Sequence, residues 1–163
     1  STSNMNGIDH TYAATAAAAT KRLVSGGKLH PEKTAMLLCD IQERFRPLLY
    51  RGETVIRTSK YLTGVAKALN IPVIATQQYT KVFGQTIKDA YHSHEDDDNN
   101  NHDDNNKPIV FFDKKLFSML TPEVREHLKT LNRTSYVLFG IETHVCVQQT
   151  ALDLLEEGHD VHI

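Results

Sequence analysis

Apolar residues fall along this chain in two alternating patterns. Four short, nearly unbroken runs, Thr34 to Cys39, Ile71 to Thr76, Ile109 to Phe112 and Tyr136 to Phe139, hold small and β-forming residues and predict strands buried on both faces. Pro72 is tolerable at the start of the second run, where a missing N–H costs least. Between the runs, apolar residues recur at helical spacing. Val55, Ile56, Leu62, Val65, Ala66 and Leu69 predict an amphipathic helix interrupted by Gly64. Thr121 or a neighbour caps a second helix with Pro122 at its first position, running through Leu128 toward Leu131. From Val145 onward Val147, Ala151, Leu154 and Leu155 predict a third, with Gly158 where a C-terminus is expected. Strand and helix alternating in this way predict an α/β fold, a doubly wound, mostly parallel sheet with helices on both faces.

Two stretches fall outside this pattern. Residues 1–30 carry Ser, Thr, Asn and an alanine cluster but little apolar area, and predict a mobile or loosely docked segment. Residues 93–106 are a low-complexity Asp/Asn tract, predicting a disordered acidic insertion in a surface loop. The expected globular domain is therefore 31–163. His92, His94 and His102 beside those carboxylates lack any means of fixing a metal's geometry, and no metal is expected there.

Composition narrows the function. The chain has 163 residues and a formal charge of -2. Six carboxylates lie between Glu95 and Asp104, so the remainder carries about +4, spread thinly rather than in a stripe that would draw nucleic acid. No apolar run reaches membrane-spanning length, so no membrane partner is expected. Cys39 and Cys146 are the only cysteines, which argues against a disulfide framework and favours a reducing, cytoplasmic setting. A mitochondrial transit segment is a weaker alternative, because only Lys21 and Arg22 precede Lys28 as basic residues.

Candidate chemistry sits at strand ends. Asp40, Lys114 and Cys146 each follow a predicted parallel strand, and in such a sheet those ends share one edge, where ligands bind. An ammonium favours thiolate, a carboxylate can take the thiol proton, and a thiolate attacks a carbonyl carbon. Bland alternatives exist: a helix N-cap for Asp40, a solvated loop charge for Lys114, a corner-filling thiol for Cys146. Strand alternation puts Cys39 on the face opposite Asp40, which suggests packing. His144 is poorly placed to pair with Cys146, being two residues away across a turn, and reads as pocket wall or surface. A nucleotide-binding reading lacks a Gly-rich loop after the first strand.

The run Gly140-Ile141-Glu142-Thr143-His144-Val145-Cys146-Val147-Gln148-Gln149-Thr150-Ala151 resembles the nucleophile signature of the isochorismatase-like cysteine hydrolases. Cys39-Asp40-Ile41-Gln42-Glu43-Arg44-Phe45 and Lys114-Lys115-Leu116-Phe117-Ser118-Met119 resemble that superfamily's other two motifs in the same order, and the wording is similar to its eukaryotic isochorismatase domain-containing members. The resemblance implies Cys146 as nucleophile, Asp40 as base and then acid, and Lys114 holding both in an ionised pair, with Lys115 the adjacent alternative. It also implies a cis peptide at Ile141–Glu142 and an oxyanion hole made by the N–H groups of Glu142 and Cys146. The expected substrate is a small amide or related carbonyl compound, and the family tends to form homo-oligomers. Phe45, Tyr79 and Phe117 are candidate pocket walls. Thr76-Gln77-Gln78-Tyr79 stands where nicotinamidase members carry an Asp-x-His metal motif, so neither metal nor other cofactor is expected. True isochorismatases act on an enol ether and some of that branch lack the cysteine, so Cys146 points to amide or ester-type hydrolysis. The sequence ends at Val161-His162-Ile163, where the family would begin another strand, so truncation is expected. The rival from another class is a binding or scaffold protein that keeps the fold without catalysis.

Overall fold

A computed structural model describes residues 27–92 and 109–163. Most of the expected N-terminal segment and the whole acidic insertion lie outside these residues. Five strands are present: β1 Thr34–Cys39, β2 Val73–Gln78, β3 Val110–Lys114, β4 Ser135–Gly140 and β5 Asp160–His162. All pair in parallel, in the order β3-β2-β1-β4-β5, so β1 is the centre and the chain winds outward both ways. β1 and β2 are buried along their whole length, as continuous apolar or small runs require.

Helix α1 spans Gly52–Ala68, α2 Pro122–Leu131 and α3 Gln148–Glu156. Alternate residues of β1 feed two cores. Met36 and Leu38 pack with Ile56 and Ala66 of α1 on one face, with Val73 and Ala75 of β2. Ala35 and Leu37 pack on the other with Val124 and Leu128 of α2 and Ala151 and Leu154 of α3. The two faces make the expected three-layer arrangement. Thr121 caps α2 as predicted, its hydroxyl accepting from the Val124 N–H at 3.3 Å.

Three local departures matter for the site. β2 continues through Gln77 and Gln78, which the apolar pattern leaves beyond the strand; both are buried. Asp40 has φ 50°, in the left-handed region that Asp tolerates better than most residues. That turn ends the strand's alternation, so Cys39 and Asp40 do not diverge as expected; the Cys39 Sγ lies 3.5 Å from Asp40 Oδ2. Finally, no cis peptide occurs among the described residues, so Ile141–Glu142 is trans, contrary to the expectation from resemblance. The chain reverses at Gly140 instead, at φ 135°, leaving the following bond in its favoured form. A Cβ on Gly140 would stand 2.2 Å from the Cys39 carbonyl oxygen, so only glycine fits beside β1 there.

Candidate active site

The C-terminal ends of β1, β3 and β4 deliver three side chains to one place. Lys114, last residue of β3, has a side chain with no exposed surface, and its Nζ lies 2.7 Å from Asp40 Oδ2. The same Nζ lies 3.6 Å from Cys146 Sγ. It also donates to Gln78 Oε1 at 2.6 Å and to the carbonyls of Leu116 and Phe117 at 3.0 Å each. An ammonium ringed by four oxygens and a sulfur is oriented from every side, which is what a buried cation needs. Lys115, the alternative, is exposed and offers its carbonyl to the Gln78 amide at 3.3 Å.

Asp40 is 2 % exposed. Its Oδ1 accepts from the Thr76 hydroxyl at 2.9 Å, while Oδ2 faces Lys114 and the Cys39 thiol. Amide side chains beneath Asp40 and Lys114 hold the floor of the site. Gln42, fully buried, donates from Nε2 to the carbonyls of Gln78 and Gly84 at 3.0 and 2.6 Å, and its Oε1 accepts from the Gln78 N–H at 2.7 Å. This sets the strand position from which Gln78 reaches Lys114. Thr76, Gln78 and Gln42 carry this support; of them only Gln42 lay within a recognisable motif, and polarity at a strand end was the sole other signal.

Cys146 lies in a wide helical turn, Thr143–Val147, that runs directly into α3. Unsatisfied N–H groups of a helix's first turn and the positive end of its dipole gather there. The Thr150 hydroxyl holds the turn, donating to the Cys146 carbonyl at 2.6 Å and accepting from the Met119 N–H at 2.9 Å. The thiol of Cys146 is pulled below the ordinary cysteine range by donation from Cys39 and then by the Lys114 ammonium, against burial and the Asp40 charge. Cys39 is pushed well up by that same contact, by burial and by Asp40. Of the two sulfurs, Cys146 is therefore the one whose surroundings favour the thiolate form.

The remaining candidates are placed less centrally. His144 is largely exposed and faces Glu142, 3.6 Å from its carboxylate, not Cys146. The Glu142 carbonyl accepts from the N–H groups of Val145 and Val147, which sets the start of the nucleophile turn. Tyr79 lines a cavity of about 470 Å³ with Val82, Lys114, Leu116 and Pro122. Neither Asp40 nor Cys146 lines that cavity, so it flanks the buried cluster and touches it through Lys114. Phe117 is exposed and contributes its carbonyl to Lys114; Phe45 stacks on Phe83 with ring centroids 4.8 Å apart. Donor atoms of Cys39, Asp40 and Cys146 lie within 4.8 Å of one another, a spacing a metal could use. The Lys114 ammonium already engages two of those three donors, on Asp40 and Cys146. Among the described residues no helix is long and apolar enough to cross a membrane.

A carboxyl group, an ammonium and a thiol meeting at the ends of three strands of a parallel sheet make this edge the candidate site of an α/β protein. The isochorismatase domain family matches residues 34–163, and the chain belongs to that family. It is 44% identical over 147 residues to the secreted isochorismatase effector Isc1 of Phytophthora sojae, covering 89% of this chain and 64% of that protein. It is 42% identical over 139 residues to isochorismatase domain-containing protein 1 of Salmo salar, covering 84% of this chain and 44% of that one. Among solved structures, MAR1 ribonuclease from Caenorhabditis elegans superposes with a TM-score of 0.69 at 35% identity, over 83% of this chain and 64% of that one. The chain thus spans less than two thirds of the length of each of these relatives.

Proposed function

We propose that this chain carries the active site of a metal-independent cysteine hydrolase acting on a small amide or related carbonyl compound. The observation that carries the reading is the buried Lys114 ammonium set between Asp40 and Cys146, 2.7 Å from one and 3.6 Å from the other. In the cycle, Cys146 attacks the carbonyl carbon as thiolate and the N–H of Cys146, at the start of the helix, receives the developing oxyanion; with Ile141–Glu142 trans, the Glu142 N–H loses the aim that a cis bond would give it. Asp40, having taken the thiol proton, gives it to the leaving group. Collapse yields a thioester on Cys146, and Asp40 then draws a proton from the water that hydrolyses it. Lys114 stabilises whichever of Cys146 and Asp40 carries the negative charge as that proton moves, and Gln78 keeps Lys114 in place. Phe45, Tyr79 and Phe117 are proposed as apolar contacts for the substrate.

Homo-oligomer formation and a reducing, cytoplasmic setting belong to the same proposal. Exposed Leu48, Tyr50 and Tyr61 support the first, and the free thiols support the second. The ribonuclease named among the neighbours suggests phosphodiester cleavage instead, but a formal charge of -2 gives no pull toward RNA. The test is direct. Reduced protein is treated with iodoacetamide near neutral pH and, separately, with a panel of small activated amides and esters, followed by intact mass. Rapid alkylation confined to Cys146 and an acyl adduct absent from Cys146→Ala are expected. Equal slow labelling of both cysteines with no adduct would favour the non-catalytic rival, and cleavage of a short RNA would favour the nuclease reading.

A further inference from the structure

The acyl-transfer cycle gives Cys39 no bond to make. Yet its Sγ stands within 4.8 Å of Cys146 Sγ and 3.5 Å from Asp40 Oδ2, and the side chain is fully buried. Both thiols are free. The two come from rigid supports: Cys39 pairs in register with Thr76 and Gly140, and Cys146 is tied through its carbonyl to Thr150. A disulfide needs its sulfurs about 2 Å apart, so the two sulfurs must close by less than about 3 Å to bond.

We propose that Cys39 is the resolving partner of Cys146, and that the two close into a reversible intramolecular disulfide when the protein meets a hydroperoxide. The inference rests on the reading of Cys146 as the reactive thiolate. In the first step the Cys146 sulfur attacks one peroxide oxygen and the O–O bond breaks. The departing oxygen leaves as water, or as an alcohol from an organic hydroperoxide, after taking a proton from solvent, and Cys146 becomes a sulfenic acid. In the second, the Cys39 sulfur attacks the Cys146 sulfur. Asp40 relays the Cys39 proton to the displaced hydroxide, which leaves as water. The Cys146 thiolate and the Cys39 thiol together lose two electrons and the Cys39 proton, solvent supplies the second proton, and one hydroperoxide is reduced. The linked state has no nucleophile, so hydrolysis stops until a dithiol restores it.

The same features make this a defined route and not general oxidation. A low-lying thiolate beside an ammonium is the first sulfur to react, and a protonated thiol next to a carboxylate is held ready to attack it. Without Cys39 the sulfenic acid has only further peroxide to meet, and passes to sulfinic acid irreversibly.

The full reduced chain is treated with hydrogen peroxide, quenched with iodoacetamide, and read by intact mass and non-reducing peptide mapping. The expected product lacks two hydrogens, contains a Cys39–Cys146 linked peptide, has lost alkylation at Cys146, and regains it with dithiothreitol. Cys39→Ser, with Cys39→Ala as a second variant, is expected to gain two oxygens at Cys146 and not to recover. The wild-type readout does not depend on either variant folding. Wild type passing to sulfinic acid as readily as the variants, or linking only between chains through Cys146, overturns the proposal. Fast alkylation of Cys146 in the reduced protein with no internal link overturns this inference alone; absent alkylation removes the hydrolase reading with it.

Discussion

Replacing Lys114 by methionine tests the centre of the site. The substitution keeps most of the stem's volume and deletes the ammonium that lies 2.7 Å from Asp40 and 3.6 Å from Cys146. Asp40 would keep the Thr76 hydroxyl and the Cys39 thiol but lose its charge partner in a place with almost no solvent. Breaking one side of a buried ion pair costs about 3–5 kcal/mol, because the survivor's charge is left uncompensated. The four other atoms around Nζ, on Gln78, Leu116, Phe117 and Cys146, lose their donor as well, which argues for the upper part of that range. The reactivity effect has a definite sign. Lys114 lowers the Cys146 thiol, so removing it raises that thiol, and the pH profile of iodoacetamide labelling must move upward, with less labelling at neutral pH. Urea unfolding gives the stability change and the labelling profile gives the shift. Unfolding within about 0.5 kcal/mol of wild type, as an ordinary surface substitution would give, together with an unmoved profile, would refute the reasoning.

Three further outcomes follow from the same contacts. Asp40→Asn removes a charge that raises Cys146, so alkylation should extend to lower pH while hydrolysis falls by roughly 10²–10⁴ for want of a base, a split that steady-state rates and labelling read separately. Gln42→Ala leaves the Gln78 backbone and the Gly84 carbonyl without partners in a buried place, and should destabilise by about 2–4 kcal/mol in chemical denaturation. Gly140→Ala forces a Cβ against the Cys39 carbonyl at positive φ, and a loss of roughly 3 kcal/mol or more, or failure to fold, is expected by circular dichroism.

The strand runs, the Thr121 cap and the convergence of three strand ends were legible because each follows from local pattern plus the rule that parallel ends share an edge. Lys114 was separable from Lys115 only through the Phe117-Ser118 spacing of the family motif. Part of what was not legible has one physical cause, burial of polar groups. Gln77 and Gln78 look like the start of a loop, yet Asp113 and Thr86 satisfy the first and Gln42 and Lys114 the second within the sheet. The place of Cys39 escaped for another reason. Alternation assigns faces only while φ stays extended, and Asp40 at φ 50° breaks the rule at the one residue where it was being applied. The cis bond expected at Ile141–Glu142 was borrowed from resemblance, and no residue of the turn demands it.

The hydroxyl of Thr150 leaves an asymmetry around the sulfur. It fastens the segment after Lys114, through Met119, to the turn holding Cys146, so those two walls move as one piece. A guest too large for the resting shape would gain room on the other flank, where Tyr79 and Val82 border the cavity and the ties to β3 are the Thr80 hydroxyl donating to Asp113 and the Tyr79 N–H donating to the Lys114 carbonyl at 3.0 Å. The breadth of compounds accepted would then be decided by the four-residue helical turn Thr80–Phe83, and exchanging its side chains is the economical way to retune selectivity while leaving the charged centre alone.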